Sequence, residues 1–148
     1  MILPAPDPSF TWRQTPAGAA LVCAPLEAIA PHLFTTRAWR LGGNREAPEA
    51  WAEIAAALGG DTGGLVRLRQ LHGAAVVRAD RLRTGDPAAV PEGDIVVARD
   101  ERRTLAVQGA DCVPLLIADP RSGAVAAVHS GWRGMVAGAA VAAVQALN

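Results

Sequence analysis

Apolar positions along this chain change period several times, and each period predicts a different element. From Pro48 to Leu58 the segment PEAWAEIAAAL sets Trp51, Ile54, Ala55 and Leu58 on one helical face. A proline suits a first helical turn, and Gly59-Gly60 supplies a stop. Leu65 to Gly73, LVRLRQLHG, alternates imperfectly as a half-buried strand would, and Ala74 to Val77 can continue it. Short β-rich runs follow as DIVVA, LAVQG, CVPLLIA and AVAAVH. Earlier in the chain, Leu21 to Ala24 and His32 to Arg37 read as two further short strands. The first nineteen residues, rich in Pro, Ala and Gly, read as an irregular arm, and Gly85 to Asp94 as a loop. Helical spacing resumes from Met135 to Leu147 through Val136, Ala140, Val144 and Leu147. That helix has no stop signal, so the expectation is either a helix that closes the fold or a piece of a longer protein.

With no internal repeat and no second domain, these elements predict one domain over residues 1–148. Composition agrees: 51% of residues are hydrophobic, and a chain of 148 residues buries about 70% of its unfolded surface on folding. Fourteen basic residues, all Arg, balance fourteen acidic ones, so nothing in the net charge points to a nucleic-acid partner or an anionic membrane. MILPAPDPSF lacks the basic flank and apolar run of a secretory signal. The longest apolar stretch, Leu105 to Ala118, is too short and too interrupted to span a bilayer. Two cysteines make no disulfide framework. A soluble cytoplasmic protein is the expectation.

The chemistry gathers at the ends of one predicted hairpin. CVPLLIA and AVAAVH flank the turn DPRSG, Asp119 to Gly123. An antiparallel hairpin centred near Arg121 brings Cys112 opposite residue 130, give or take one, and therefore beside His129. Pro114 tempers this, because it cannot donate to a central ladder. A neighbouring Cys and His can form a thiolate–imidazole pair for nucleophilic attack, or two ligands of a transition metal. A third ligand would decide between these, and with three histidines in the chain the candidates are His72, at the end of the Leu65 strand, and His32. A Cys–His–His set leaves zinc one open position, as catalytic sites do. An isolated histidine at a strand end is more often simply hydrogen-bonded, and Cys23 reads as a small buried hydrophobe. Trp132 and Arg133 occupy the turn into the last helix, where a guanidinium can bind an anion or pack on the indole.

Three segments together resemble one family, known variously as multicopper polyphenol oxidase, laccase-domain protein or zinc-type purine nucleoside phosphorylase. They are QLHG (Gln70 to Gly73), ADCVP (Ala110 to Pro114) and VHSGWRG (Val128 to Gly134), and HLFTTR is similar to the family's amino-terminal strand. The resemblance spans roughly residues 30–147. It implies a single α/β domain with mixed sheet and flanking helices, related to cysteine-dependent hydrolases. It also implies that His72, Cys112 and His129 are metal ligands, with zinc the expected ion and copper the alternative. The implied activity is phosphorolysis of purine nucleosides, including the methylthio derivative of adenosine, together with adenosine deamination; some members are instead regarded as peptidoglycan editing factors.

On that reading the partners are a purine nucleoside and phosphate. Cys112, His129 and Asp111 are the catalytic candidates, with Asp111 as a charge-stabilising carboxylate. Arg133, Arg37 and Gln70 are the phosphate or substrate candidates. Three histidines are too few for the copper centres of a multicopper oxidase, and the H-x-E with P-C-x-x-C signature of zinc deaminases is absent. The segment AWRLGGNREAP is compressed relative to the family, and members are typically longer. The comparison with the family implies a chain that lacks its carboxy-terminal part: a natural truncation, a gene fragment, or a subunit completed through its last helix by another chain or by a second copy.

Overall fold

Ile95–Ala98, four consecutive apolar residues each buried, is the strand on which the two main layers are stacked. Such a run suits a strand covered on both faces, where no side chain meets water. In the computed structural model, which describes residues 3–42, 47–83 and 90–148, the elements in chain order begin with β1 (Phe10–Thr15), β2 (Gly18–Cys23), α1 (Ala24–Glu27) and β3 (Phe34–Thr35). Then come α2 (Pro48–Ala57), β4 (Leu65–Val66), β5 (Val76–Arg78), β6 (Ile95–Ala98) and β7 (Thr104–Leu105). The order ends with β8 (Val113–Ala118), β9 (Val125–Ser130), α3 (Trp132–Val136) and α4 (Ala139–Leu147).

The central sheet runs β5-β6-β9-β8, with β5 parallel to β6 and the other neighbours antiparallel. A parallel pair, β4 with β7, and an antiparallel sheet β1-β2-β3 complete an α/β fold with mixed sheets and flanking helices. Period-two alternation divides the core. Ile95, Val97, Ala126 and Val128 face α4, while Val96, Ala98 and Ala127 face Val66, Leu68 and Ala79. A third cluster joins Ala20, Trp39, Trp51 and Ile54. Among the described residues, no helix is long and apolar enough to cross a membrane.

Helix α2 and the hairpin stand where the sequence places them. The β8–β9 register pairs Val113 with Ser130 and Pro114 with His129, within the one-residue latitude of the expectation. Its turn is closed by Asp119, whose carboxylate accepts bonds from the Arg121 amide and the Ser122 hydroxyl, and by Gly123 at φ +71°. Only a residue without Cβ adopts that conformation freely.

Other expectations need correcting. The amino-terminal arm is not irregular: Phe10–Thr15 and Gly18–Cys23 form an antiparallel hairpin of six residue pairs, in which Thr11 and Gln14 are the exposed positions of the first strand. The HLFTTR strand shrinks to Phe34–Thr35 and turns into a 3-10 segment at Arg37–Trp39, which buries Trp39. The Leu65 strand ends at Val66, and Arg69 keeps only an isolated bridge to Glu92. Of LAVQG only Leu105 is paired, in β7. The expected loop from Gly85 to Asp94 lies partly outside the described residues.

The last helix differs most. Gly138, at φ +77°, ends α3 and restarts the turn as α4, so the buried stripe is Ala139, Ala143, Ala146 and Leu147. Val136 and Val144, expected to face inward, are 83% and 51% exposed. Alanines on the inner face bring the helix axis close to the sheet, and the glycine break supplies the change of phase.

Candidate metal centre

Asp94 stands immediately before β6 and His129 near the end of β9, and the antiparallel register sets them opposite each other. The His129 amide donates to the Asp94 carbonyl at 2.7 Å, and the His129 ring Nδ1 lies 2.8 Å from the Asp94 carboxylate. Both side chains are almost fully buried, at 3% and 0% exposure. The carboxylate accepts further bonds from three consecutive amides, Leu71, His72 and Gly73, at 2.8–3.3 Å. Burial pushes Asp94 up, but the hydrogen bonds from His129 and from the Gly73, His72 and Leu71 amides outweigh it. They hold its carboxyl below the usual carboxylate range.

The loop gathered by these amides carries His72 at φ +63°, a left-handed conformation uncommon outside glycine. Its ring meets that of His129 edge to face, with centroids 4.8 Å apart. Cys112, just ahead of β8, supplies the third group. The ligand atoms of His72, Cys112 and His129 all lie within 4.8 Å of one another. His72 is exposed, Cys112 half-buried and His129 buried, so the cluster lies at a rim reached from solvent on one side.

Gly131 makes the meeting possible. A Cβ there would sit 2.8 Å from the Cys112 sulfur and 3.6 Å from the His72 ring. Gly134 lets the start of α3 lie against this loop, since a Cβ there would stand 3.0 Å from the Gly73 carbonyl. The VHSGWRG segment therefore carries a ligand candidate and two close approaches in seven residues.

The remaining sequence candidates distribute as follows. Gln70 spends both ends of its amide on the main chain of Gln108: its NH2 donates to the carbonyl and its oxygen accepts from the N–H, each at 2.7 Å. It clips the His72 loop to the segment leading to Cys112, and the Gln108 side chain in turn reaches the Leu41 carbonyl. Arg133 is exposed, with its guanidinium 5.3 Å from the centre of the exposed Trp132 indole. Asp111 is exposed beside Cys112 and stands outside the three-residue cluster. Arg37 is exposed at the head of the 3-10 turn after β3. His32 is buried, accepting the Cys23 amide at Nε2 and engaging the Ala30 carbonyl at Nδ1, so His72 is the histidine the fold brings to Cys112 and His129. Asp94 is the residue sequence reasoning missed. Its signal was a lone acid heading an apolar strand, meaningless until β6 pairs with β9.

The donor set fits a transition metal. Tetrahedral zinc with bonds of about 2.0–2.3 Å holds its ligand atoms about 3.4–3.6 Å apart, so closing this cluster takes shifts of about 1 Å or less. One thiolate with two imidazoles suits zinc and copper alike.

Comparison with known proteins places this chain in a family. The family model described as multi-copper polyphenol oxidoreductase laccase matches residues 43–148. A Deinococcus radiodurans protein named purine nucleoside phosphorylase is 38% identical over 136 residues, covering 82% of this chain and 51% of its own length. A Streptomyces coelicolor protein of the same name is 44% identical over 108 residues, 72% of this chain and 44% of that protein. A protein from an unknown prokaryotic organism, named adenosine deaminase RL5, is 38% identical over 66% of this chain and 39% of its own length. The chain thus spans about half the length of the curated relatives it matches, or less. Among solved structures, YlmD from Geobacillus stearothermophilus superposes with a TM-score of 0.68 at 25% identity, covering 87% of this chain and 55% of that one. A Neisseria meningitidis protein of the DUF152 family gives 0.62 at 25% identity over 95% of this chain and 57% of that one. With the match running through all three site segments, the chain belongs to the multi-copper polyphenol oxidoreductase laccase family.

Proposed function

We propose that residues 1–148 form one domain carrying the metal-binding part of a zinc-dependent purine nucleoside phosphorylase, acting in the cytoplasm on a purine nucleoside and phosphate. The observation that carries this reading is the convergence of His72, Cys112 and His129 from three separate segments onto one rim. Relatives named purine nucleoside phosphorylase, and one named adenosine deaminase, support the substrate class.

His72, Cys112 and His129 would hold the ion. Bound there, zinc would act as a Lewis acid on an oxygen of the substrate or of water. Arg133, free of any ion pair with a described residue, would take phosphate, with Arg37 as a second cation. Phosphorolysis builds positive charge on the sugar, and Asp111, exposed beside Cys112, is the carboxylate proposed to oppose it. Gln70 would serve the site by clamping the two ligand-bearing loops together.

A second reading has its own support. Cys112, His129 and Asp94 form a nucleophile–base–orienter series, so the same residues could serve a cysteine amide hydrolase, the chemistry of a peptidoglycan editing factor. Metal analysis with an assay of phosphate-dependent hypoxanthine release from inosine separates these. One zinc per chain, lost with activity in Cys112→Ser, is the expected result. Amide hydrolysis that survives full chelation would move the assignment to the hydrolase. Stoichiometric zinc without turnover at any phosphate concentration would leave a metal-binding, non-catalytic domain.

A further inference from the structure

Asp94 touches both histidines of the cluster by different routes. Its carboxylate receives the three amides of Leu71, His72 and Gly73, and also the Nδ1 of His129. All three amides are donors and nothing else, so the carboxylate facing them acts as an acceptor throughout. His129 Nδ1 must then carry the hydrogen, which leaves Nε2 with its lone pair free. The same carboxylate anchors the backbone that holds His72 at φ +63°.

We infer that Asp94 is the positioning residue of the cluster: it selects the His129 tautomer and pins the His72 loop, so that both imidazoles are set for a ligand before any ligand arrives. This deepens the metal-site reading and rests on it for its purpose, although the tautomer and the loop geometry are properties of the metal-free protein.

An asparagine cannot replace this carboxylate, although it is nearly isosteric. Its amide offers one oxygen and one NH2. With the oxygen toward His129, the NH2 confronts the Gly73 N–H, now 2.8 Å from Oδ2. With the amide reversed, the NH2 confronts the His72 N–H, 2.8 Å from Oδ1, and donates to His129 Nδ1. The hydrogen on the ring then moves to Nε2 and blocks it. The first orientation releases the Gly73 end of the His72 loop while the Oδ1 bonds to His72 and His129 persist, and the second disconnects both histidines.

The test uses the full chain with metal removed by chelation. The chain has three histidines, so long-range 1H–15N correlations can be assigned ring by ring. His129 is expected as the Nδ1–H form in the wild-type protein. In Asp94→Asn, zinc affinity measured by chelator competition is expected to fall 10–100-fold, the usual consequence of losing an outer carboxylate partner. Asp80→Asn is the control, because Asp80 likewise accepts backbone amides, those of Arg99 and Asp100, without touching the cluster. Its zinc affinity should match the wild type. An Nε2–H ring at His129 in the metal-free wild type would overturn the inference, as would an Asp94→Asn protein that binds zinc as tightly as the control. If Asp94→Asn does not fold, the wild-type spectrum decides alone. A wild-type protein that shows the Nδ1–H ring but binds no zinc would remove the metal reading and leave the role of Asp94 standing.

Discussion

Replacing Gly131 with alanine isolates the geometry of the cluster from the stability of the fold. The backbone at Gly131 has φ −80° and ψ 177°, extended values open to any residue, so the substitution introduces no conformational strain. Its single effect is the new Cβ, 2.8 Å from the Cys112 sulfur. Non-bonded contacts of this kind settle at about 3.5–4.0 Å, so the sulfur must retreat by about 1 Å. That retreat is as large as the whole shift that closing the cluster on a metal requires. The displaced thiolate should therefore weaken zinc binding by at least tenfold, about 1.4 kcal/mol. Differential scanning with and without zinc reads this directly. At a zinc concentration about 100 times the wild-type Kd, binding adds about 2.7 kcal/mol, and a variant tenfold weaker gains about 1.4 kcal/mol. For a domain of this size that is about 5–10 °C of zinc-dependent shift in the wild type against about 3–6 °C or less in the variant. The same zinc-dependent shift in both proteins would show that Cys112 does not ligate from this position.

Three further outcomes follow from the packing and the hydrogen bonds. Ala143→Leu should cost about 1–3 kcal/mol in urea unfolding, because Ala143 is fully buried between α4 and the sheet, whereas Val144→Ser should stay within about 0.5 kcal/mol. The reverse ranking would reinstate the stripe read from sequence. Gln70→Ala leaves the N–H and carbonyl of Gln108 without their partners and should destabilise the protein by about 1–3 kcal/mol, measured as a lowered unfolding midpoint. Asp94 is held below its ordinary value in the folded state, so the stability it contributes is complete above about pH 4, the unfolded value, and is lost as pH falls through its folded value. Urea midpoints of the chelated protein should accordingly fall more steeply in acid for wild type than for Asp94→Asn; parallel curves would show that Asp94 is not linked to folding.

Helix α2 and the β8–β9 hairpin were legible because each is local. Trp51, Ile54 and Leu58 repeat within a few turns, and Asp119 and Gly123 close a turn that fixes register from inside the hairpin. Cys112 could be set beside His129 by counting residues alone. The amino-terminal hairpin was hidden because Pro- and Ala-rich composition masks a pairing whose energy lies in the ladder rather than in propensity. In α4 the apolar pattern has two readings, one lined by Val and one by Ala, and the local sequence does not choose between them. Gly138 does so only once it adopts a left-handed conformation, and a sheet lined by Ile95, Val97 and Val128 then accepts the smaller face.

By itself, the sequence determined that Cys112 meets His129 at the open end of the hairpin, since that follows from residue spacing and a five-residue turn. Tertiary structure decided what joins them. His72 enters from a loop with no pattern of its own, and it is brought in by Asp94, which lies opposite His129 only because β6 pairs with β9. Pairing between strands distant in the chain depends on burial of both faces of β6, a property of the assembled layers that no short window of sequence contains.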